Sequence, residues 1–305
     1  MKQQDSISKS PITNATLESF LSCIDFTVSQ EKFTILKDTQ LDFLVTSPRP
    51  LVKDLMLYYE SENYISHTDS DKNLFDKIYQ LVKRITIKSK IKKLKKAHPN
   101  ATNILDVGCG TGDFLATCFK NKFAVFGIEP NKQARDIALQ KMDSNSIFDS
   151  FNSLKKETNS KFDIITLWHV LEHVPNLLEY TKTLKDLLNP NGILIIAVPN
   201  FKSYDAQHYK EFWAAYDVPR HLWHFSKEAI ATLFKKVDLK IVKTHPMLFD
   251  SFYVSMLSEK NNQKHFKNLR AFCIGLFSNS KALFTKEYSS CIYILKHAKK
   301  PFKAK

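Results

Sequence analysis

Residues 104–114 read Ile-Leu-Asp-Val-Gly-Cys-Gly-Thr-Gly-Asp-Phe. An apolar run that closes on three alternating glycines has the pattern of a buried strand, a tight loop and the start of a helix. The chain holds only 6 glycines in 305 residues, where ordinary usage of ~7% would give about 21. Half of them, Gly108, Gly110 and Gly112, stand inside this loop. Glycine is kept where φ is positive or where another group must approach the backbone closely. The loop is therefore the first place to expect a ligand.

Working outward, strand and helix patterns alternate. Asn103–Val107 reads as a strand, Asp113–Lys120 as a helix, Ala124–Ile128 as a strand, and Asn131–Met142 as a helix with Asn131 at its N-cap. A short strand near Ser146–Phe148 follows, then a strand over Phe162–Leu167, a helix over Asn176–Leu188 and a strand over Gly192–Val198. Ser226–Lys236 reads as a helix, and Leu239–Thr244 and Cys291–Leu295 as the last strands. Apolar strands alternating with helices predict an α/β fold, a doubly wound and mostly parallel seven-stranded Rossmann-like sheet.

Glu129 ends the second strand, where such a sheet places an acid on ribose hydroxyls. A dinucleotide fingerprint would read Gly-x-Gly-x-x-Gly and face a pyrophosphate. Here the spacing is Gly-x-Gly-x-Gly, with Asp106 before it and Asp113 after it. Two carboxylates repel a pyrophosphate but suit the ammonium and sulfonium of S-adenosylmethionine. The spacing disfavours a nicotinamide dehydrogenase.

Segment 104–129 resembles the first two motifs of the class I S-adenosylmethionine-dependent methyltransferases. Phe162-Asp-Ile-Ile-Thr-Leu-Trp-His-Val-Leu-Glu-His-Val is similar to the fourth-strand region of the branch that includes the ubiquinone-biosynthesis O-methyltransferases, and Asn189-Pro-Asn-Gly-Ile-Leu-Ile-Ile-Ala-Val-Pro-Asn to its turn and fifth strand. The likeness covers roughly residues 100–245. It implies that Asp106, Gly108, Gly110 and Gly112 line the methionine end of the cofactor, that Glu129 holds the ribose, and that Trp168 and His169 lie near cofactor and acceptor. Asp149 is the nearest candidate for an adenine-binding acid.

His169, Glu172 and His173 stand at i, i+3 and i+4, on one face of a turn beyond the fourth strand. They could brace that turn, or His169 or His173 could act as a general base. Related O-methyltransferases carry Glu-x-x-Glu-His here and hold a divalent cation. This chain has His169 in place of the first Glu, and His221 or His224 could add a ligand, so the sequence alone assigns no metal. Residues 199–225 hold eight aromatic side chains, which either roof an apolar acceptor or fill the core. Arg220 could meet an acidic acceptor or pair with Asp217. Tyr58, Tyr59, Tyr64 and His67 could cover the cofactor or pack between domains.

The formal charge of +14 is local. Residues 83–96 carry eight basic side chains and residues 296–305 five, with no acid in either, and the remainder balances 32 basic against 31 acidic. Ile87, Ile91 and Leu94 recur at helical spacing, so 83–96 reads as a helix that packs an apolar stripe and shows lysines to solvent. Only five of the basic residues are arginine, which disfavours nucleic acid as a partner. A weak contact with an anionic membrane surface through 83–96 is the expectation that remains.

The chain divides at Pro99 into an N-terminal hairpin and helical region (1–98) and a methyltransferase domain (99–305). Phe33–Leu36 and Leu41–Val45 read as the hairpin. Relatives place a zinc module there, but Asp38 and Leu41 stand where its Cys-x-x-Cys would fall, and no metal is expected. A polar start, no apolar run near ~20 residues and five cysteines without Cys-x-x-Cys point to the cytoplasm. The leading reading is an enzyme that methylates a small acceptor, with oxygen as the expected target. The alternatives are a cofactor-binding protein without turnover and a nucleic-acid methyltransferase recruited by 83–96.

Overall fold

The computed structural model describes residues 4–51, 54–59, 74–142, 146–262 and 267–298. The leading strands are β1 (Gln4–Asp5), β2 (Leu17–Ile24), β3 (Lys32–Asp38), β4 (Phe43–Ser47) and β5 (Arg49–Pro50), and the long helix α1 (Leu74–Ala97) follows. Then come β6 (Asn103–Val107), α2 (Asp113–Lys120), β7 (Ala124–Ile128), α3 (Lys132–Gln140), β8 (Ile147–Phe148), α4 (Phe151–Glu157), β9 (Phe162–Trp168), α5 (Leu177–Leu187) and β10 (Leu188–Pro199). The chain ends with α6 (Tyr204–Tyr209), β11 (Trp223–Phe225), α7 (Lys227–Lys235), β12 (Leu239–Pro246), α8 (Asp250–Asn262), α9 (Lys267–Thr285) and β13 (Ser290–His297).

The main sheet has the order β12-β13-β10-β9-β6-β7-β8. Its five strands from β10 to β8 run parallel, and β13 lies antiparallel to both neighbours. The apolar runs explain this, because both faces are covered and successive residues serve opposite cores. Leu105, Val107, Ile165, Leu167, Leu194 and Ile196 face one cluster, and Ile104, Ile164, Ile193, Ile195 and Ala197 face the other. Ile91 and Leu94 of α1 are buried in the second cluster, as their spacing predicts. Fixing β6 beside β9 brings the glycine loop and the turn after Trp168 to one edge of the sheet.

A second sheet has the order β11-β4-β3-β2, all antiparallel. Its edge strand β11 comes from beyond β10, so the contacts cross the 98/99 division. Most of the aromatic segment is spent here. Phe201, Tyr209, Trp213, Tyr216, Trp223 and Phe225 are buried, several of them against Phe33, Ile35 and Leu44 of the hairpin. Asp38 accepts from Thr13 Oγ1 at 2.6 Å and from the Gln40 N–H at 2.8 Å, and Leu41 is buried.

Several regions differ from the sequence reading. Residues 1–30 read in sequence as polar with few strong patterns, yet they contain β2 and the buried Ile12. The lysines of 83–96 do not all face solvent, since Lys83 pairs with Asp113 at 2.6 Å and Lys90 lies over the Trp168 ring at 3.9 Å. The helices α8 and α9, which fill the interval between β12 and β13, are not anticipated, and neither are the short α4 and α6.

Candidate functional site

The glycine loop is a left-handed turn between β6 and α2. Gly108, Gly110 and Gly112 have φ of +71°, +54° and +79°. At Gly112 a Cβ would lie 2.9 Å from the Ala138 Cβ, so α2 and α3 leave no room for one. At Gly110 no atom of the described residues lies within 4 Å of that position, and the backbone there is open to a ligand. The two positions should therefore separate in experiment. Gly112→Ala is expected to cost about 1–2 kcal/mol for the left-handed backbone, with the Ala138 overlap in addition. Gly110→Ala should lose only the backbone part and leave the melting temperature closer to that of the parent. Chemical unfolding of both variants checks this ordering.

Around the loop stand the acids that the sequence singled out. Asp106 is buried at the end of β6 and accepts from Thr166 Oγ1 at 2.5 Å. Burial pushes its carboxyl well up, against the Thr166 bond and the nearby Lys90 ammonium. Lys90, buried in turn, is pushed down by desolvation. Glu129 accepts from the Gly110 N–H and the Asn131 N–H, both at 2.9 Å, which ties the end of β7 to the loop. Asp113 is instead engaged by Lys83 and Lys141, each at 2.6 Å. Asp149 is taken up by the Ser150 and Ser153 hydroxyls at the start of α4.

The turn after β9 carries the second group. His169 has φ +57° and swings the chain away from Trp168, whose buried Nε1 lacks a partner among the described residues. His169 Nδ1 lies 3.3 Å from Glu172 Oε1 and its Nε2 lies 3.2 Å from Asp250 Oδ2 at the start of α8. Burial works against its positive charge, but the bonds to Asp250 and Glu172 outweigh it and push the imidazole up to about 10. With both nitrogens donating, His169 is not a free base.

Glu172 and His173 belong to a single 3-10 turn, Leu171–His173. Glu172 is 1% exposed, and its Oε2 has no partner among the described residues. Burial raises its carboxyl, but the His169 bond overrides this and holds it below the ordinary range. His173 Nδ1 is 2.9 Å from the Tyr59 hydroxyl and 3.1 Å from the Arg220 carbonyl. Burial, then the His221 charge, push it down to about 4, so it is neutral at pH 7. His221 Nδ1 donates to the Ala215 carbonyl at 2.8 Å, and its Nε2 lies 4.0 Å from Asp217 Oδ2. The ligand atoms of Glu172, His173 and His221 lie within 4.8 Å of one another.

This cluster is laced from both sides. The Leu222 N–H donates to the Glu172 carbonyl at 2.8 Å, Trp223 Nε1 to the Val174 carbonyl at 2.6 Å, and Thr46 Oγ1 to the His221 carbonyl at 2.7 Å. Arg220 is buried against Asp217 at 2.7 Å and Asp25 at 2.9 Å, and it donates to the Tyr58 carbonyl at 3.0 Å. It is therefore part of the frame. Tyr64 and His67 lie outside the described residues.

A methyltransferase-domain family model matches residues 71–244, more than half of the chain. The chain belongs to the class I S-adenosylmethionine-dependent methyltransferases. Curated relatives include the ubiquinone biosynthesis O-methyltransferases of Rickettsia bellii (strain OSU 85-389), 30% identical over 45% of this chain and 59% of that one, and of Glaesserella parasuis serovar 5 (strain SH0165), 33% identical over 32% and 45%. The chain spans about half the length of the curated relatives it matches. Magnesium protoporphyrin IX methyltransferase from Synechocystis PCC 6803 shares the fold, with a TM-score of 0.52 and 14% identity over 81% of this chain and all of that one. In this methyltransferase the sequence reading overlooked Lys90 and Asp250. Lys90 is hidden in a run of like charges, and Asp250 lies far along the chain from the residue it holds.

Proposed function

We propose that the protein transfers a methyl group from S-adenosylmethionine to a hydroxyl oxygen of a small acceptor. The observation that carries this reading is the Glu172–His173–His221 cluster, with Glu172 and His221 buried and His173 half-buried, beyond Trp168 on the edge of the sheet that bears the glycine loop. Bound S-adenosylmethionine supplies an already activated methyl group, so the protein has to align the acceptor and manage one proton. The buried thiols Cys109 and Cys118 accord with this, because burial pushes them up and keeps them protonated.

In this reading Asp106 and the loop backbone hold the methionine end, and the Glu129 carboxylate takes the ribose hydroxyls. Trp168 forms a wall beside them. The neutral His173 and the open Oε2 of Glu172 face the acceptor hydroxyl. A base pushed down to about 4 removes a phenol proton poorly by itself. A neutral imidazole, a second imidazole and a carboxylate oxygen without a partner do fit a divalent cation, held by Glu172, His173 and His221. Such an ion would lower the pKa of the acceptor hydroxyl.

The relatives are named for ubiquinone biosynthesis, so catechol-type phenols head the panel. With methyl-labelled S-adenosylmethionine, the expected result is a labelled O-methyl ether with equal release of S-adenosylhomocysteine. Chelation should reduce turnover, and magnesium or manganese should restore it. Cofactor binding without product on any phenol, or a product methylated at nitrogen or carbon, would overturn the reading.

A further inference from the structure

The α8–α9 pair is packed with its small side chains inward. Ala271, Gly275, Ser278 and Ala282 are the buried residues of α9. A Cβ at Gly275 would lie 2.8 Å from the Phe252 ring and 3.0 Å from the Phe252 Cα, so the two helices meet closely there. Polar contacts hold the pair down. Ser278 Oγ donates to Asp205 at 2.6 Å, Ser251 Oγ to the Gly275 carbonyl at 3.1 Å, and Arg270 pairs with the buried Glu259 at 3.2 Å.

The large apolar side chains of α9 are left outside. Leu269, Phe272, Leu276, Phe277, Leu283 and Phe284 are each more than half exposed, Phe284 at 88%. At about 100° per residue they fall within an arc of about 140°. A continuous apolar stripe of this kind marks an interaction surface. Its charge selects the partner. Besides Arg270, which Glu259 already engages, residues 267–286 carry Lys267, Lys281 and Lys286 and no acid. A two-fold dimer through the stripe would set cationic rims together with no carboxylate on α9 to answer them. Anionic headgroups do answer them, while the apolar side chains enter the acyl boundary.

We propose that α9 is a membrane-docking face that lies flat on an anionic lipid surface. Among the described residues no helix is long and apolar enough to cross a membrane, so the contact is interfacial. This places the lipid contact on α9 and not on the lysine run 83–96, whose apolar stripe is buried against the main sheet.

Flotation of the purified full chain with phosphatidylcholine vesicles, with and without phosphatidylglycerol, tests this. The parent chain should float with the anionic vesicles and detach at high salt. The triple variant Phe272→Ser, Phe277→Ser, Phe284→Ser should bind at least about 30-fold more weakly. The single variant Phe284→Asp, at the most exposed position, should lose binding several-fold with an unchanged melting temperature. Replacing Lys88, Lys92 and Lys95 by serine should leave α9-driven binding within about threefold. The proposal is overturned if the parent chain ignores anionic vesicles or if Phe284→Asp binds them as the parent does. It is equally overturned if the α1 lysine variant alone loses binding, or if the parent is a dimer in solution that Phe284→Asp dissociates.

Discussion

Arg220→Ala is expected to lower the unfolding free energy by about 3–5 kcal/mol, the usual consequence of removing one partner from a buried ion pair. Its guanidinium is 1% exposed and joins three parts of the chain. Asp25 belongs to the turn between β2 and β3, Asp217 to the segment before β11, and the Tyr58 carbonyl to the stretch before α1. Without Arg220 the Asp25 carboxylate stays buried with only its Ser29, Thr27 and Val28 donors. The sign with pH follows. Burial raises the Asp25 carboxyl, but the Arg220 bond and charge outweigh it and hold the group below its ordinary value. A lowered carboxyl contributes stability that is present above its unfolded value, near pH 4, and is lost as the pH falls through the folded value. Urea titrations should therefore show the parent losing stability below about pH 4, with a shallower loss in Arg220→Ala. Equal midpoints for the two proteins at pH 7 would refute the frame assigned to Arg220.

Asp106→Asn is expected to weaken S-adenosylmethionine binding by about 10- to 150-fold, because a hydrogen bond to a charged group, here the cofactor's ammonium, is worth about 1.5–3 kcal/mol. The substitution keeps the side-chain shape and a hydrogen-bonding oxygen for Thr166, so the fold should survive. Lys90→Met should act in the opposite direction. The Lys90 ammonium sits 3.9 Å from the Trp168 ring centre and close enough to Asp106 to oppose the effect of its burial. A cationic cofactor at that carboxylate has to meet this positive charge, and removing it should tighten binding several-fold. Calorimetry on the two variants provides the check. A tighter Asp106→Asn, or a Lys90→Met weakened as much as Asp106→Asn, would show that the methionine end does not lie here.

Some of this was legible in the sequence, and the division has physical reasons. The strands around Asp106 and Trp168 are buried on both faces, so they appear as uninterrupted apolar runs, and the loop announces itself through its glycines. Local signals also sufficed for Asn131 and Ser226, each of which caps its helix by accepting the N–H three residues on. The helices α8 and α9 escaped notice because α9 buries alanine, glycine and serine and exposes phenylalanine and leucine. A rule that sends large apolar residues inward finds no face there. Lys90 and Asp250 were missed because their partners, Trp168 with Asp106 and His169, lie far away in sequence. Asp113 reads as a cofactor acid beside its loop, and only the fold shows Lys83 and Lys141 converging on it.

The pairing of β4 with β11 also sets an order in time. Phe43–Ser47 leaves the ribosome roughly 176 residues before the Trp223–Phe225 strand that borders it. At the usual ~5–20 residues per second this interval is about ten to thirty-five seconds. Throughout it β4 has a bare edge, the kind of surface that other chains can extend. The hairpin completes its sheet only after the glycine loop and the parallel strands have been made. Its last strand arrives bound to the turn that holds Glu172 and His173. The N-terminal layer thus cannot close before the residues of the glycine loop and of the Glu172 turn have been made.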